Sequence, residues 1–451
     1  MNDSEILEAI TQAMTLRTRA GLTQTVAELI NTGRIPPEAR LPTIRAVAEA
    51  LGMSRTAVGQ AWRQLQQQGI LQSNRRGGTI VIAQPTPAHA KKFELMIRAS
   101  ITMPVDLGNL FCQDMPNFNL GRAFQYAAAH PEIGNQFAHP ISAELKKAIM
   151  KTWPFQTDSF LSMHGTMDAL EISLAALVQP GDSVVVATPT LPRVFDILES
   201  LNSIPVLIPM RDDGMDLNDI HQALISKPAA FVYQPNLALP TGRSVNPEWI
   251  SAASLVLEGN LPILEIDQIW PLGEPRLSLG TELPDQVLHI RSFNYAFGAD
   301  MRQAVVGGNP RLIDMLWNRL SYSSRYVSRI LQLAQAFLLQ DPGTLATLEW
   351  WETEIRRRHH TFAEALGELG LPVNYDGPPF IWLSVPNEHS VCTRLSRRGI
   401  VVYPGALFHP KNGLDPHISI NAAARSNDIG GLAKEIALAV RKTGADAMGS
   451  D

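Results

Sequence analysis

The sequence predicts an α/β protein with a small helical head, a large body built on a mostly parallel sheet, and a smaller C-terminal α+β part. Two observations support this fold class. Between residues 182 and 308, short apolar segments such as DSVVVATP and LPILEIDQ alternate with helical stretches, as in a parallel sheet covered by helices. The first 83 residues differ, because helical segments lead there into two short strands. At 451 residues, the chain has room for two or three domains.

The composition is that of a globular protein, with 45% apolar and 18% charged residues. No apolar run is long enough to span a membrane. The N-terminal residues MNDSEILEAITQAM carry acids where a signal peptide has a basic and then an apolar region, so we expect a cytoplasmic protein. Two cysteines, Cys112 and Cys392, are too few for a disulfide framework or a four-thiolate zinc site, and no metal site is predicted.

The charge is unevenly divided along the chain. Residues 1–83 hold nine arginines and six acids, a net +3, so the remainder carries −8 of the total of −5. A basic head on an acidic body indicates that only the head meets an anionic partner. Lysine is scarce, and none of the nine lysines lies between Lys227 and Lys411.

The head reads as three helices followed by a two-stranded wing. AGLTQTVAELINTGRI (20–35) has apolar residues at helical spacing. Thr43 is a suitable N-cap for a second helix, which Gly52 ends. Ser54 caps a third helix, and ILQSNRRGGTIVIA (70–83) forms two strands around a glycine turn. This order predicts a winged helix-turn-helix.

A winged helix-turn-helix places its third helix in the major groove of DNA. Hydroxyl and guanidinium groups at the start of that helix reach base edges or phosphates, and arginines elsewhere hold the backbone. The candidate contacts are Arg45, Ser54, Arg55, Thr56, Arg63, Arg75 and Arg76. For any single arginine, a solvated surface position remains the alternative.

The segment LPTIRAVAEALGMSRTAVGQAWRQLQQQGIL…GGTIV resembles the head of the GntR regulator family. The family pattern is met at Leu41–Arg45, Leu51–Val58 and Gly77–Thr79, with Thr43 in place of Ser and Ala57 in place of Thr. The resemblance implies a regulator that binds double-stranded operator DNA. It adds Gly78 and Thr79 to the candidate DNA-binding residues.

The body resembles pyridoxal-phosphate (PLP) enzymes of fold type I. We expect a head at 1–83, an extended linker at 84–105 and the body at 106–445. The resemblance rests on HGTMDALEISLAALVQPGDSVVVATPTLPRVFDIL, YQPNLALPTGRSV, LEIDQIWPLGE, IRSFNYAFGADMRQAVVGG and VVYPGALF, which follow one another in the family's order. A GntR head on an aminotransferase-like body is the architecture of MocR-type regulators.

The resemblance assigns roles to several residues of the body. Gly165, Thr166, Ser292 and Arg302 match positions that bind the cofactor phosphate, for which a guanidinium fork is suited. Asp267 matches the carboxylate that faces the pyridine nitrogen, although Glu265 lies only two residues away. The alternatives are a salt-bridge partner or cap for Asp267 and a surface position for Arg302.

Tyr295 stands where the family has the lysine that forms a Schiff base with PLP. A phenol cannot form an imine, and residues 228–410 contain no lysine that a shifted alignment would supply. Leu191 stands where the family has the aromatic ring that stacks on the cofactor. Leu239 stands where the enzymes of the family have Asn, and Ser419 stands where they have the arginine that binds the substrate carboxylate. We therefore expect a catalytically degenerate body without a covalent cofactor.

The predicted function is transcriptional regulation by a homodimer that forms through the body, with sensing of a small-molecule effector by the body as one of the open hypotheses. Three hypotheses for the body stay open: it binds PLP or a PLP-like ligand non-covalently, it binds another small anion, or it is a scaffold only. The competing function is a PLP-dependent aminotransferase with an appended DNA-binding head. RRRHH (356–360) lies beside acids on a predicted helix and indicates a solvated charged face.

Overall fold

The structure, a computed structural model, describes most of the chain. The described residues are 3–14, 17–31, 34–36, 38–67, 70–74, 78–82, 90–92, 94–96, 104–110, 116–134, 139–273, 276–371, 373, 377–410, 415–424 and 428–448. The chain divides into two compact units, Met1–His89 and Ala90–Asp451. They contain the predicted head and body, and we keep those names for them.

The described residues of the head form four helices and a two-stranded antiparallel sheet. Its elements are α1 Asp3–Ala13, α2 Arg19–Asn31, α3 Ile44–Leu51, α4 Arg55–Gln67, β1 Leu71–Asn74 and β2 Gly78–Val81. The helix α1 is not predicted from the sequence, although Ile6, Ala9 and Ile10 have helical spacing. These three side chains are buried in the core of the head. The winged helix-turn-helix fold is confirmed.

The ends of the helix-turn-helix follow local rules. The Thr43 hydroxyl accepts a hydrogen bond from the Ala46 N–H at 3.2 Å, and Gly52 ends α3 with φ +64°. Ser54 caps α4 by accepting from the Ala57 N–H at 3.1 Å. Gly52 at the end of α3 and Ser54 at the start of α4 therefore fix the turn between these two helices.

The body is built on an eight-stranded sheet with the strand order β4-β11-β10-β9-β8-β5-β6-β7. The strands are β4 Phe160–Met163, β5 Ser183–Thr188, β6 Ile204–Arg211, β7 Gly214–Met215, β8 Ala230–Tyr233, β9 Ile263–Asp267, β10 Val287–Ser292 and β11 Ala304–Gly308. The five strands from β10 to β6 in this order are parallel, whereas β4, β11 and β7 pair antiparallel. The predicted mostly parallel sheet is confirmed.

Helices cover this sheet and apolar clusters fill both of its faces. The helices are α5 Leu120–Ala129, α6 Ala143–Met150, α7 Thr166–Leu177, α8 Pro192–Ser200, α9 Leu217–Leu224, α10 Pro247–Leu257, α11 Asn294–Phe297, α12 Pro310–Arg319 and α13 Arg329–Leu338. Alternate residues of a strand face opposite sides. Leu264 and Ile266 of β9 therefore belong to one cluster, whereas Ile263 belongs to the other.

The C-terminal α+β part has its own apolar core. Its elements are α14 Pro342–Glu368, β12 Phe380–Ser384, α15 Glu388–Ser396, β13 Ile400–Val401, β14 Tyr403–Pro404, β15 His417–Asn421 and α16 Ile429–Met448. Strands β12, β15 and β14 form an antiparallel sheet, and β13 pairs with β3 Val105–Asp106.

Part of the predicted linker 84–105 is held on the body rather than extended. The Lys92 Nζ donates to the carbonyls of Ala406 and Leu407 at 3.1 and 2.9 Å, and its backbone N–H donates to Asp196 Oδ1 at 3.2 Å. Met96 is buried in the body core. The hydrogen bonds of Lys92 and the burial of Met96 therefore hold this segment against the body.

Among the helices of the described ranges, none combines the length and the apolar character that a membrane crossing requires.

Candidate functional site

The first candidate site is the exposed start of α4 in the head. Ser54, Arg55, Thr56 and Arg63 are all exposed, while the apolar side of the helix is buried. The Arg45 Nε lies 2.8 Å from Glu49 Oε1 on the exposed side of α3. A surface pair of this kind is weak, so Arg45 remains available to a phosphate.

The wing contributes fewer described residues. Gly78 has φ +77°, and a Cβ added to it would lie 3.0 Å from the Arg40 Nε, so glycine is required there. The Thr79 hydroxyl lies 2.8 Å from the Ser73 hydroxyl on the paired strand. Arg75 and Arg76 lie outside the described residues.

The second candidate site lies at the N-terminus of α7 in the body. Gly165 precedes the helix with φ +117°, and a Cβ added to it would lie 3.4 Å from Arg302 Cγ and 3.8 Å from Asn294 Nδ2. The buried Thr166 Oγ1 and Asn294 Oδ1 have no hydrogen-bond partner among the residues described. A helix N-terminus beside an arginine and an unsatisfied hydroxyl donor favours an anion.

A second arginine, Arg193, interacts electrostatically with Arg302. Arg193 lies in the first turn of α8. Burial, and next the charge of Arg302, lower the pKa of Arg193, which a neighbouring Asp196 partly offsets. Mutual repulsion of two arginines is relieved when an anion binds between them.

Ser292 and Tyr295 lie within two residues of Asn294 in the sequence, and both are buried. Ser292 is buried at the end of β10, and its hydroxyl accepts from the Asn294 N–H at 3.3 Å. Tyr295 is only 2% exposed on the short helix α11.

Asp267 at the end of β9 belongs to a buried ion-pair network, the salt-bridge alternative that its sequence left open. Its Oδ1 accepts from Arg276 Nη1, and its Oδ2 lies 3.3 Å from Arg291 Nε and 3.5 Å from His289 Nε2. Burial acts to raise the pKa of Asp267. The charges of Arg276 and Arg291 outweigh it and hold this pKa well below its usual range.

Glu265, the alternative match, is equally engaged. Its Oε1 accepts from the Tyr233 hydroxyl at 2.6 Å and the Leu279 N–H at 2.7 Å. Its Oε2 accepts from the Ser278 hydroxyl at 2.6 Å and lies 2.8 Å from His289 Nδ1. Burial, and next the negative charge of Glu265, raise the pKa of Tyr233 and keep it a neutral donor.

The three residues expected from the sequence to depart from the family pattern are all buried. Leu191 is part of the apolar cluster on one face of the sheet. The Leu239 carbonyl accepts from Gln234 Nε2 at 3.0 Å. Ser419 lies within β15, paired in register with Trp382 and Tyr403.

The sequence prediction did not include Asn294, Arg193, Arg276, Arg291 or His289. For two of them a signal exists, because His289 and Arg291 alternate with apolar residues in VLHIRS as Glu265 and Asp267 do in LEIDQ. Alternation places each pair on one face of its strand. In the structure His289 pairs with Glu265 and Arg291 with Asp267 in the parallel register.

The described part of the chain contains no group of three or more His, Cys, Asp or Glu residues able to hold a metal ion. The charged run at 356–358 on α14 is engaged with acids, with Arg356 2.8 Å from Glu352 and both Arg357 and Arg358 2.8 Å from Glu354.

Both units of the chain match models of known protein families. Residues 113–434 match the model of class I and II aminotransferases. The chain belongs to the class I and II aminotransferase family. Residues 18–81 match the model of bacterial regulatory proteins of the gntR family. This aminotransferase-family chain therefore carries a GntR-type helix-turn-helix domain, which is a DNA-binding type of domain, in front of its body.

Two relatives of this aminotransferase-family chain share both of its parts. It is 26% identical over 432 residues to the vitamin B6 salvage pathway transcriptional repressor PtsJ of Salmonella typhimurium, covering 92% of this chain and 97% of the relative. It is 24% identical over 442 residues to the HTH-type transcriptional regulator YdcR of Escherichia coli, covering 86% and 91%.

Solved structures show the same body fold. The α-aminoadipate aminotransferase LysN of Thermus thermophilus superposes with a TM-score of 0.70 at 17% identity, over 80% of this chain and 96% of LysN. A kynurenine aminotransferase of Pyrococcus horikoshii gives 0.68 at 17% identity, over 78% and 94%. The aminotransferase fold of PLP fold type I is thus confirmed for the body.

Proposed function

We propose that the protein is a transcriptional regulator that binds operator DNA through its head and uses its aminotransferase-family body for dimerisation and ligand sensing. The observation that carries the proposal is the exposed cluster at the start of α4, on a head of net positive charge. Two relatives that match over most of the chain are regulators by name. The DNA-binding residues are those predicted: Arg45, Ser54, Arg55, Thr56, Arg63, Arg75, Arg76, Gly78 and Thr79.

The body has no role as an aminotransferase in this proposal. Tyr295 occupies the lysine position of the family pattern, and a buried phenol has no chemistry that replaces an amine in Schiff-base formation. Buried Ser419 supplies no guanidinium for a substrate carboxylate. Loss of both functions supports a body that keeps the fold without the catalysis.

The body serves as the dimerisation unit. A contiguous exposed apolar patch is typical of protein interfaces, whereas single exposed apolar side chains are ordinary. The large apolar side chains exposed on the described body surface include our candidates for such a patch, Phe124, Tyr126, Met150, Tyr322, Tyr326 and Ile330. A two-fold dimer would present two heads to paired half-sites on the operator.

A small-molecule effector binds non-covalently at the N-terminus of α7. Gly165, Thr166, Ser292 and Arg302 provide the predicted phosphate contacts, and the unpaired Thr166 hydroxyl supports a ligand there. PLP or a PLP-like phosphate compound fits this end of the site. We place the head at 1–83 and the body at 106–445, joined by 84–105.

DNA binding is tested by footprinting the full chain on the region upstream of its own gene and neighbouring genes. Arg55→Ala and Arg63→Ala should each weaken binding and lower the salt dependence by about one phosphate contact. The control Arg356→Ala removes an exposed arginine from the body and should change nothing. Protection that both head variants leave unchanged would contradict the placement of α4 in the groove.

The competing enzyme function is tested with a transaminase assay using several amino donors and added PLP. We expect no turnover. Turnover by the unaltered chain that depends on added PLP would contradict a catalytically degenerate body and support an aminotransferase with an appended DNA-binding head.

A further inference from the structure

The two ends of the body site differ in how well their polar groups are satisfied. At the acidic end, both oxygens of Glu265 and both oxygens of Asp267 already have partners within the protein. A carboxylate oxygen accepts more than one hydrogen bond, so partners alone do not close it to a protonated ring nitrogen. Glu265 and Asp267 are in addition 0% exposed, which leaves neither carboxylate an oxygen that is open to a ligand. The residues at this end therefore do not fit a pyridine nitrogen.

Arg276 is the residue that closes the acidic end. It comes from the segment between β9 and β10, its side chain is 2% exposed, and it donates to Asp267 Oδ1 through Nη1 and to the Leu272 carbonyl through Nη2. A ring nitrogen would have to displace this guanidinium and leave a buried charge without its partner. Such an exchange is strongly unfavourable.

The phosphate end is in the opposite condition. The Thr166 hydroxyl and the Asn294 amide oxygen are more than nine-tenths buried and unpartnered within the described structure. The Asn294 amide lies against Gly165, as does Arg302. A phosphate has several strong acceptor oxygens, which would satisfy the Thr166 hydroxyl, the Arg302 fork and, after rotation of its amide, Asn294.

We infer that the body recognises its ligand by a phosphate group alone and does not distinguish a pyridine ring from a benzene ring. This inference rests on the proposed ligand site at the N-terminus of α7. It makes phosphate monoesters as a class the ligands of the site. The ring portion meets no open carboxylate, and the family pattern places Leu191, an aliphatic side chain, at the position that stacks on the ring.

The test compares two esters that differ in one atom, pyridin-3-ylmethyl phosphate and benzyl phosphate, by titration calorimetry with the full chain. We expect dissociation constants within about threefold of each other, because a nitrogen that makes no hydrogen bond adds little affinity. Pyridoxamine 5′-phosphate should fall in the same range, and pyridoxine, which lacks the phosphate, should not bind.

Variants separate the two ends of the site. Arg302→Gln should weaken both esters alike by at least about tenfold, since it removes a charge-assisted pair. The matched control Arg311→Gln, an exposed arginine on α12, should change neither. Asp267→Asn should leave the ratio of the two dissociation constants unchanged. The comparison in the unaltered protein needs no variant and decides the question if Asp267→Asn does not fold.

Two outcomes would overturn the inference, and they are distinguishable. Tenfold or greater preference for the pyridine ester would show that a ring nitrogen is recognised, while the proposed ligand site would stand. If no phosphate compound binds, the ligand site itself fails and the inference fails with it.

Discussion

Arg291 lies beside Asp267 on the neighbouring parallel strand, with its Nε 3.3 Å from the carboxylate Oδ2 and both side chains completely buried. Arg291 also donates to the hydroxyl and the carbonyl of Thr152 at 2.9 and 2.8 Å. Its guanidinium lies 4.8 Å from the ring centre of Trp153. The pair therefore links the central sheet to the segment that precedes β4, and its role is structural.

The first prediction concerns removal of one member of this pair. Arg291→Met should lower the free energy of unfolding by about 3–5 kcal/mol, because it leaves the charge network buried without one of its cations. Urea denaturation followed by circular dichroism measures this change. Arg356→Met is the control, since its partner Glu352 is on the surface, and it should cost less than about 1 kcal/mol. Equal effects of the two variants would contradict a structural role for the buried network.

The strands that carry this network could be predicted from the sequence, but their pairing could not. LPILEIDQ and VLHIRSF are apolar enough to indicate buried strands, and they form β9 and β10. Which strands become neighbours depends on contacts across the whole sheet. Arg276 belongs to an irregular segment with no periodic pattern, so its approach to Asp267 has no signal in the sequence.

Motif matching and local physics also disagree at the candidate site. Gly165, Thr166 and Arg302 are predictions of a family pattern that depends on local residue types, those that a loop and a helix N-terminus require. Asp267 matches the pattern equally well, but its partners arrive from distant segments. A motif thus predicts where a residue lies more reliably than what it contacts.

The second prediction concerns the anchor of the segment that follows the head. Lys92→Ala should lower the stability of the body by about 1.5–3 kcal/mol, since its ammonium group donates to carbonyls in the turn at 405–408. Lys91→Ala is a control of the same residue type, because Lys91 meets Glu199 at 3.0 Å on the surface. It should cost less than about 1 kcal/mol. Thermal unfolding of both variants distinguishes them, and a cost for Lys91→Ala as large as that for Lys92→Ala would refute the anchor.

The third prediction concerns acid stability. The hydrogen bond from Arg357, together with those from Arg358, outweighs burial and lowers the pKa of Glu354 from 4.5 to about 2. A carboxyl whose pKa is lower in the folded state stabilises the protein above its unfolded pKa. That contribution is lost as the pH falls from 4.5 toward 2.

Glu354→Gln should therefore reduce the slope of unfolding free energy against pH within that window. Arg357→Gln removes the hydrogen bond that does most to lower the pKa of Glu354, so it should reduce the slope similarly. The double variant should add little to either. Denaturation at a series of pH values measures the slopes, and additive effects of the two substitutions would show that Glu354 and Arg357 act independently.

The fourth prediction uses the shape of the phosphate end of the site. Gly165 has φ +117°, and its Cα approaches Arg302 so closely that a Cβ would already be in contact with Arg302 Cγ at 3.4 Å. Gly165→Val adds two methyl groups beyond that Cβ and should displace the arginine. We expect a stability loss of about 1–3 kcal/mol from the unfavourable φ, and at least about a tenfold weaker affinity for benzyl phosphate.

Gly134→Val is the matched control, because Gly134 also has a positive φ, +87°, but an added Cβ meets no atom of the described structure within 4 Å. It should show a comparable loss of stability and retain the affinity, since strain alone does not move Arg302. Calorimetric titration at a temperature where both variants are folded separates the two effects. If Gly134→Val loses the same affinity, the loss reflects general destabilisation. If Gly165→Val binds as tightly as the unaltered chain, Arg302 does not hold the phosphate.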